Sequence, residues 1–231
     1  MQTLIDIAAV VLGYILGSVP FGLLIVKIKT GKDLRSVESG RTGGTNAMRA
    51  AGFSAGLLTA IMDILKGAAA VWLAQMLDPE GNLIHVLAPI GAILGHNYSI
   101  FLVERDENGQ LRFRGGAGGA PALGGAMGLW WPMLPIVSSL GALLFFTLGI
   151  ASITTMGVAL FVTIIFAVRA WLGQMPWIDV LYGVLAELIL IWSLRPNIQK
   201  LFSGNERVIK YSLNGWLRAR KEMEAESKTS P

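Results

Sequence analysis

Cysteine is absent from the 231 residues. That excludes a disulfide framework, a thiolate zinc site and a cysteine nucleophile. Histidine occurs twice, at His85 and His96, too few for a histidine-rich metal site, so no metal is expected. Charge is scarce too: 15% of residues are Asp, Glu, Lys or Arg, against about 25% in an average soluble domain. With 53% hydrophobic residues and a mean hydropathy of +0.58, the deficit excludes a soluble globular domain and a disordered chain. It points to an all-α, polytopic membrane helix bundle. The net charge of +4 is modest. Loops facing anionic lipid account for it, and no nucleic acid is needed as a partner.

Apolar runs lie between the charged segments, and a span needs about 20 such residues. The first runs Leu4 to Val26, with no basic residue ahead of it and no A-x-A site after it, and reads as an uncleaved helix. Further spans are expected at Phe53 to Leu77 and Leu83 to Val103. The stretch from Ala117 to Gly149 is too long for one crossing. Trp130, Trp131, Pro132 and Pro135 suit an interfacial turn between a fourth and a fifth span. Ile153 to Val168 and Ile178 to Leu194 complete seven. Basic residues cluster after spans one, three and seven, while the loop at Asp78-Pro79-Glu80 has none. Positive charge therefore puts the N-terminus outside and the C-terminus in the cytoplasm, with Arg169 as the one mismatch. Glycine pairs Gly13/Gly17, Gly52/Gly56, Gly91/Gly95 and Gly124/Gly128 suggest close helix packing. Residues 1–207 read as the membrane domain and 208–231 as a cytoplasmic tail, an amphipathic helix start followed by a frayed end.

Polar chemistry collects at the cytoplasmic boundaries. Ser39 to Arg49 packs glycines, hydroxyls, Asn46, Arg41 and Arg49 just before a helix. Glycine lets backbone N–H groups approach an anion, hydroxyls donate, and arginine grips phosphate with two donors. The alternative is a flexible loop carrying topological charge. Arg112-Phe113-Arg114-Gly115-Gly116-Ala117-Gly118-Gly119 repeats the logic, with tight packing at a helix start as its alternative. Ser152, Thr154 and Thr155 form a weaker group between spans five and six, and Arg195-Pro196-Asn197 a fourth. Within span two, Asp63 and Lys66 share a helix face and should neutralise each other or pair with a neighbouring helix; an ion path is the alternative. His96 could act as a base or hold a loop carbonyl. Asn108-Gly109 suits a type I′ hairpin.

Taken in order, these groups resemble the bacterial PlsY family, the acyl-phosphate:glycerol-3-phosphate acyltransferases. The likeness runs through Gly17-Ser18-Val19-Pro20, Gly31-Lys32-Asp33-Leu34-Arg35, Ser39 to Arg49, Asp63-x-x-Lys66-Gly67 and Gly95-His96-x-Tyr98. It closes with Arg195-Pro196-Asn197-Ile198-x-x-Leu201-x-x-Gly204-x-Glu206. The resemblance implies a multi-pass enzyme of the bacterial cytoplasmic membrane that moves a fatty acyl group from acyl phosphate to the 1-hydroxyl of glycerol 3-phosphate, making lysophosphatidic acid. Membrane lipid is the further partner, and a monomer is expected. It implies catalytic roles at Ser39 and Arg49, and His96 is the third catalytic candidate from the residues themselves. Substrate or phosphate contacts fall to Arg41, Thr45, Asn46, Arg112, Arg114, Gly115, Gly116, Gly118, Ser152 and Asn197. Acyl phosphate is already activated, so no cofactor is expected. The hydroxyl proton could pass to a substrate phosphate oxygen, to His96 or to Ser39 as a relay.

Two departures from the family pattern matter most. Its Gly-rich turn carries a lysine where this chain has Ala117, and a histidine where this chain has Leu194. Arg41 also stands in place of the usual asparagine. Arg41, Arg112 or Arg114 could compensate. A diverged paralogue that binds a phosphorylated lipid or precursor without turnover, or uses another acceptor, is the alternative. A transporter is favoured only by the Asp63/Lys66 pair.

Overall fold

The computed structural model describes residues 2–229. Apart from one short hairpin its regular structure is helical. The expected first span is two helices, α1 (Gln2–Ser18) and α2 (Phe21–Thr30). Pro20 separates them, since proline supplies no N–H and clashes with a continuing ladder. The chain then makes α3 (Gly44–Ala51), α4 (Phe53–Leu77) and α5 (Asn82–Asn97). After the hairpin come α6 (Gly119–Leu129), α7 (Met133–Leu148), α8 (Ala151–Trp171), α9 (Ile178–Phe202) and α10 (Leu213–Thr229).

Among the described residues, four stretches are long and apolar enough to cross a membrane: 2–30, 53–77, 82–102 and 151–171. The long apolar stretch does turn at Trp130 to Pro132, but α6 has only 11 residues, about 16 Å at 1.5 Å per residue. Helix α9 continues to Phe202, so the Arg195-Pro196-Asn197 group lies within a helix rather than after a span. Pro196 cannot donate to Trp192, and the Arg195 guanidinium reaches that carbonyl instead at 3.4 Å. Arg169, the topological mismatch, stacks over the Trp130 ring at 3.8 Å, an attraction that favours a cation there.

Strands β1 (Val103–Arg105) and β2 (Leu111–Phe113) pair antiparallel, with Glu104 opposite Arg112. Their connection is not type I′, which needs positive φ at two successive residues. Only Gly109 is left-handed (φ 74°). Its N–H donates to Asp106 O at 2.9 Å, and Asp106 N–H donates to Gln110 O at 2.9 Å. This is a three-residue loop closed by a left-handed glycine. The Asp106 carboxylate holds it by accepting from the N–H groups of Asn108 and Gln110.

Glycine sets how closely the helices meet. A Cβ on Gly13 or Gly17 would strike the carbonyls of Ala88 or Ala92 on α5, and one on Gly95 would strike Tyr14 O on α1. Gly124 of α6 meets Ile64 O, and Gly67 of α4 meets Pro121 O. The Gly52/Gly56 pair differs: Gly52 (φ 85°) ends α3, and only Gly56 packs, against Met48 and Gly44. A core of Val86, Ile93, Met133, Val162, Phe166, Tyr182 and Leu190 joins α5 to α7, α8 and α9. Within it, Tyr182 Oη donates to Ala122 O at 2.6 Å. Leu12, Leu65, Trp72, Leu143, Ile164 and Leu188 face outward, as a lipid-facing surface requires. The tail is docked at its start, where Ile209 N–H donates to Gly149 O at 2.8 Å and Asn214 Nδ2 to Leu148 O at 3.0 Å. It is helical through Thr229, and the expected frayed end at Pro231 lies outside the described residues.

Replacing Gly95 by Val should therefore separate α1 from α5. Overpacking costs about 1–3 kcal/mol or more, and here the obstacle is backbone. We expect a lower melting temperature and a loss of monodisperse protein in detergent, measured by scanning fluorimetry and size-exclusion chromatography.

Candidate active site

The loop between α2 and α3 is built from its own polar groups. Asp33 accepts the N–H of Arg35 at 2.8 Å and opens a short 3-10 turn. The Arg35 guanidinium beside it holds the Asp33 carboxyl down at about 2, so the pair stays charged at neutral pH. Arg35 also reaches Glu104 at 2.6 Å and ties the loop to the hairpin. The Asn46 amide donates to the carbonyls of Val37 (3.0 Å) and Arg41 (2.8 Å), with Leu34 O at 3.3 Å. Asn46 thus spends its Nδ2 donors on knotting the loop, while its Oδ1 has no hydrogen-bond partner among the described residues.

Arg41 leaves the loop to join two other segments. Its guanidinium donates to Gly116 O at 3.0 Å, Ser193 O at 2.8 Å, Ser193 Oγ at 3.3 Å and Asn197 Oδ1 at 3.2 Å. Burial pulls this guanidinium below its ordinary value, yet an arginine remains a cation in that position. Asn197 Nδ2 then donates to Glu206 Oε1 at 3.0 Å, and Ser152 Oγ donates to the same oxygen at 3.0 Å. One polar chain therefore runs from α8 through the segment after α9 and α9 itself to the first loop and the Gly-rich turn. Glu38 and Arg207 pair across the rim.

The Gly-rich turn is pressed against the end of α5. Gly116 N–H donates to His96 O at 2.8 Å. A Cβ on Gly115 would strike the carbonyls of His96 and Asn97, and one on Gly116 would strike the His96 ring. Gly118 sits at φ 94° beside the Asn97 amide. Tight packing and a donor-rich turn are here the same feature. Buried behind it, Asp63 and Lys66 of α4 do pair, at 2.9 Å, and they meet His96 of α5 as well.

These segments enclose a cavity of about 920 Å³. Of the residues expected from the sequence, Ser39, Arg41, Thr45, Asn46, Arg49, His96, Arg114, Gly115, Gly116, Gly118, Ser152 and Asn197 all line it. Arg112 does not. Side chains alternate along β2, so Phe113 faces the cavity, while Arg112 turns outward and donates to Asp106 at 3.1 Å. Arg41, Arg49, Arg114, Arg195, Lys200 and Arg207 line the wall against Glu38, Asp63 and Glu206, an excess of cation suited to anionic ligands. Ala117 and Leu194 line it too. The Arg41 guanidinium binds their sequence neighbours Gly116 and Ser193, so a cation stands between the two positions where the resemblance expects lysine and histidine. Ser193, Asn97 and Glu206 were not expected as site residues. Nothing in the sequence marks Ser193 or Asn97, whereas Glu206 closes a matched motif.

The comparisons with known proteins agree with this geometry. The family model described as glycerol-3-phosphate acyltransferase matches residues 7–204. The chain is 38% identical over 209 residues to a glycerol-3-phosphate acyltransferase of Rhodopseudomonas palustris (strain HaA2), covering 89% of this chain and 96% of the relative. A protein of the same name from Rubrobacter xylanophilus is 36% identical over 205 residues, covering 88% and 95%. Among solved structures, the fold is similar to a crystal structure of PlsY (YgiH), an integral membrane glycerol 3-phosphate acyltransferase, in its glycerol 3-phosphate form. The TM-score is 0.75 at 27% identity, covering 88% of this chain and 95% of that one. The lysophosphatidic acid form of that enzyme gives 0.73 at 25% identity, covering 89% and 96%. With most of its length matched by the family model and by relatives above 30% identity, this chain belongs to the glycerol-3-phosphate acyltransferase family.

Proposed function

We propose that this protein transfers a fatty acyl group from acyl phosphate to the 1-hydroxyl of glycerol 3-phosphate, releasing lysophosphatidic acid and inorganic phosphate. The observation that carries the reading is the cation-rich cavity of about 920 Å³, onto which the first loop, the Gly-rich turn and the end of α9 converge. Its size and charge suit two phosphorylated head groups held side by side. Proximity of that kind can supply roughly 7–11 kcal/mol of the barrier.

The hydroxyl oxygen attacks the acyl carbon, the bond from that carbon to the phosphate oxygen breaks, and the hydroxyl proton ends on the departing phosphate. Ser39 and Arg49 are the catalytic pair of the first loop. Both are exposed to the cavity, and no hydrogen bond or ion pair to protein occupies the Arg49 guanidinium among the described residues. Thr45, Arg114 and the N–H groups of Gly115 and Gly118 offer further donors to phosphate oxygens, while the Gly116 N–H is held by His96 O and that residue shapes the wall by close packing. Ser152 and Asn197 act through Glu206 and Arg41, which keep the wall in register. Arg41 supplies the charge that Ala117 and Leu194 do not, and this favours turnover over a binding-only paralogue.

The setting is the cytoplasmic membrane of a bacterium, with the protein a monomer. The broken helix formed by α1 and α2, then α4, α5, α6, α7, α8 and α9, make seven crossings, N-terminus outside, with the basic loops and the cavity on the cytoplasmic side. Residues 1–207 form the enzyme and 208–231 a cytoplasmic tail.

Three outcomes test this. Reporter fusions after Thr30 and Tyr211 should read cytoplasmic and one near Asn82 external; a cytoplasmic signal at Asn82 removes the seven-crossing topology. In assays with acyl phosphate and glycerol 3-phosphate, Arg49→Ala and Ser39→Ala should each lower kcat/KM with folded yield unchanged. For Arg49 the loss should be about 10–100-fold, the worth of one charge-assisted hydrogen bond at about 1.5–3 kcal/mol. Finally, Ala117→Lys in the otherwise wild-type protein should change kcat/KM by no more than about threefold, because Arg41 already holds the charge. In an Arg41→Ala background the same substitution should recover part of the lost activity. Recovery in the wild-type background instead would show that Arg41 does not compensate.

A further inference from the structure

The Lys66 ammonium meets two hydrogen-bond acceptors and one ion-pair partner. His96 Nδ1 lies 2.8 Å away, Asp63 Oδ1 2.9 Å and Val19 O 3.0 Å. The last is a carbonyl at the break between α1 and α2, where Pro20 interrupts the helix. Lys66, Asp63 and His96 are each at most 5% exposed, so water does not substitute for any of these partners. An ammonium can only donate. Nδ1 of His96 must therefore present its lone pair to Lys66, and the ring proton must sit on Nε2. Asp63 Oδ1, at 3.5 Å from Nδ1, is too distant to claim a proton there.

The other edge of the ring is free. Nε2 has no partner among the described residues and lies against Gly116, where a Cβ would collide with it, on the wall of the cavity. Next to it, Asn97 is 4% exposed and leaves both amide atoms without a hydrogen-bond partner. Two polar groups thus face the Gly-rich turn unpartnered. We infer that His96 is a neutral N–H donor, not a base, and that its Nε2–H takes the acyl carbonyl oxygen of the substrate, with Lys66 and Asp63 as positioning residues that fix its tautomer. The carbonyl oxygen gains negative charge as the hydroxyl adds to the acyl carbon. A fixed donor on a buried side chain stabilises that charge without reorganising, and the ammonium behind the ring reinforces it. The inference rests on the acyl-transfer reading for its substrate, but not for its tautomer.

The chain has two histidines, so ¹⁵N-histidine labelling gives two ring spin systems, assigned with His85→Asn. His96 should show the Nε2–H tautomer at neutral pH, and adding an acyl phosphonate, which keeps the carbonyl but lacks the scissile bond, should shift its Nε2 signal. Lys66→Met removes the donor that fixes the tautomer, so the Nε2–H form should no longer predominate. In turnover assays His96→Ala should lower kcat by about 100-fold with KM for glycerol 3-phosphate little changed. His96→Gln places an amide N–H near the Nε2 position but cannot act as a base, and should recover at least tenfold of that loss. An Nδ1–H ring or an imidazolium in the wild type overturns the inference, as does a Gln variant as slow as Ala. If the wild type is inert towards acyl phosphate while the phosphonate still shifts Nε2, the acyl-transfer reading fails and the donor stands. An unshifted Nε2 at saturating phosphonate overturns the donor.

Discussion

One guanidinium holds the working end of this molecule together. Arg41 starts in a loop between two helices and spends its donors on Gly116, Ser193 and Asn197. A partly buried cation is tolerable because protein oxygens replace its water. The consequence is architectural: three segments far apart in sequence are fixed relative to one another by a single planar fork. Asn197 relays that constraint to Glu206, and Ser152 joins at the same oxygen. The arginines that line the cavity without such a network, Arg49 above all, are left available for a ligand.

The second constraint is backbone contact. In lipid no hydrophobic force drives helices together, so packing and close approach must do it. Glycines on both partners let α1 and α5 touch carbonyl to backbone, and Gly67 and Gly124 do the same for α4 and α6. That closeness is what brings Lys66 to a carbonyl at the break in the first span and to His96 on the third. With an ordinary side chain at Gly95, the polar cluster would lose its geometry along with the helix contact. The same rule extends into the site, where Gly115, Gly116 and Gly118 let the turn lie directly on the end of α5.

Charge is divided by depth. Exposed arginines and Lys200 ring the mouth, suited to anions that arrive solvated. Deeper, Asp63 and Lys66 compensate each other behind the His96 ring, whose other edge faces the cavity. Such an order fits a reaction between a polar head group from water and an acyl chain from lipid.

Much of this was legible in the residues themselves. Hydropathy located the helices, because twenty apolar residues in a row have few other uses. Trp130 and Pro132 marked the turn after α6, and the density of glycine, hydroxyl and arginine marked both halves of the site. What periodicity and composition could not give was partnership across the chain. Arg112 and Arg114 look alike in sequence; Asp106 holds the first outward, while the second, just past the end of β2, lines the cavity. Asn46 read as a substrate contact, and its Nδ2 also knots its own loop, while Ser193 carried no signal at all. Helix α9 ran past its apolar stretch because Arg195 and Asn197 found partners there, and Pro196 was accommodated by a guanidinium. Local sequence determines which residues form helices and where polar groups gather. Only the tertiary structure decides which donor meets which acceptor, because a hydrogen bond depends on a few tenths of an ångström and on direction, and neither is written along a single chain.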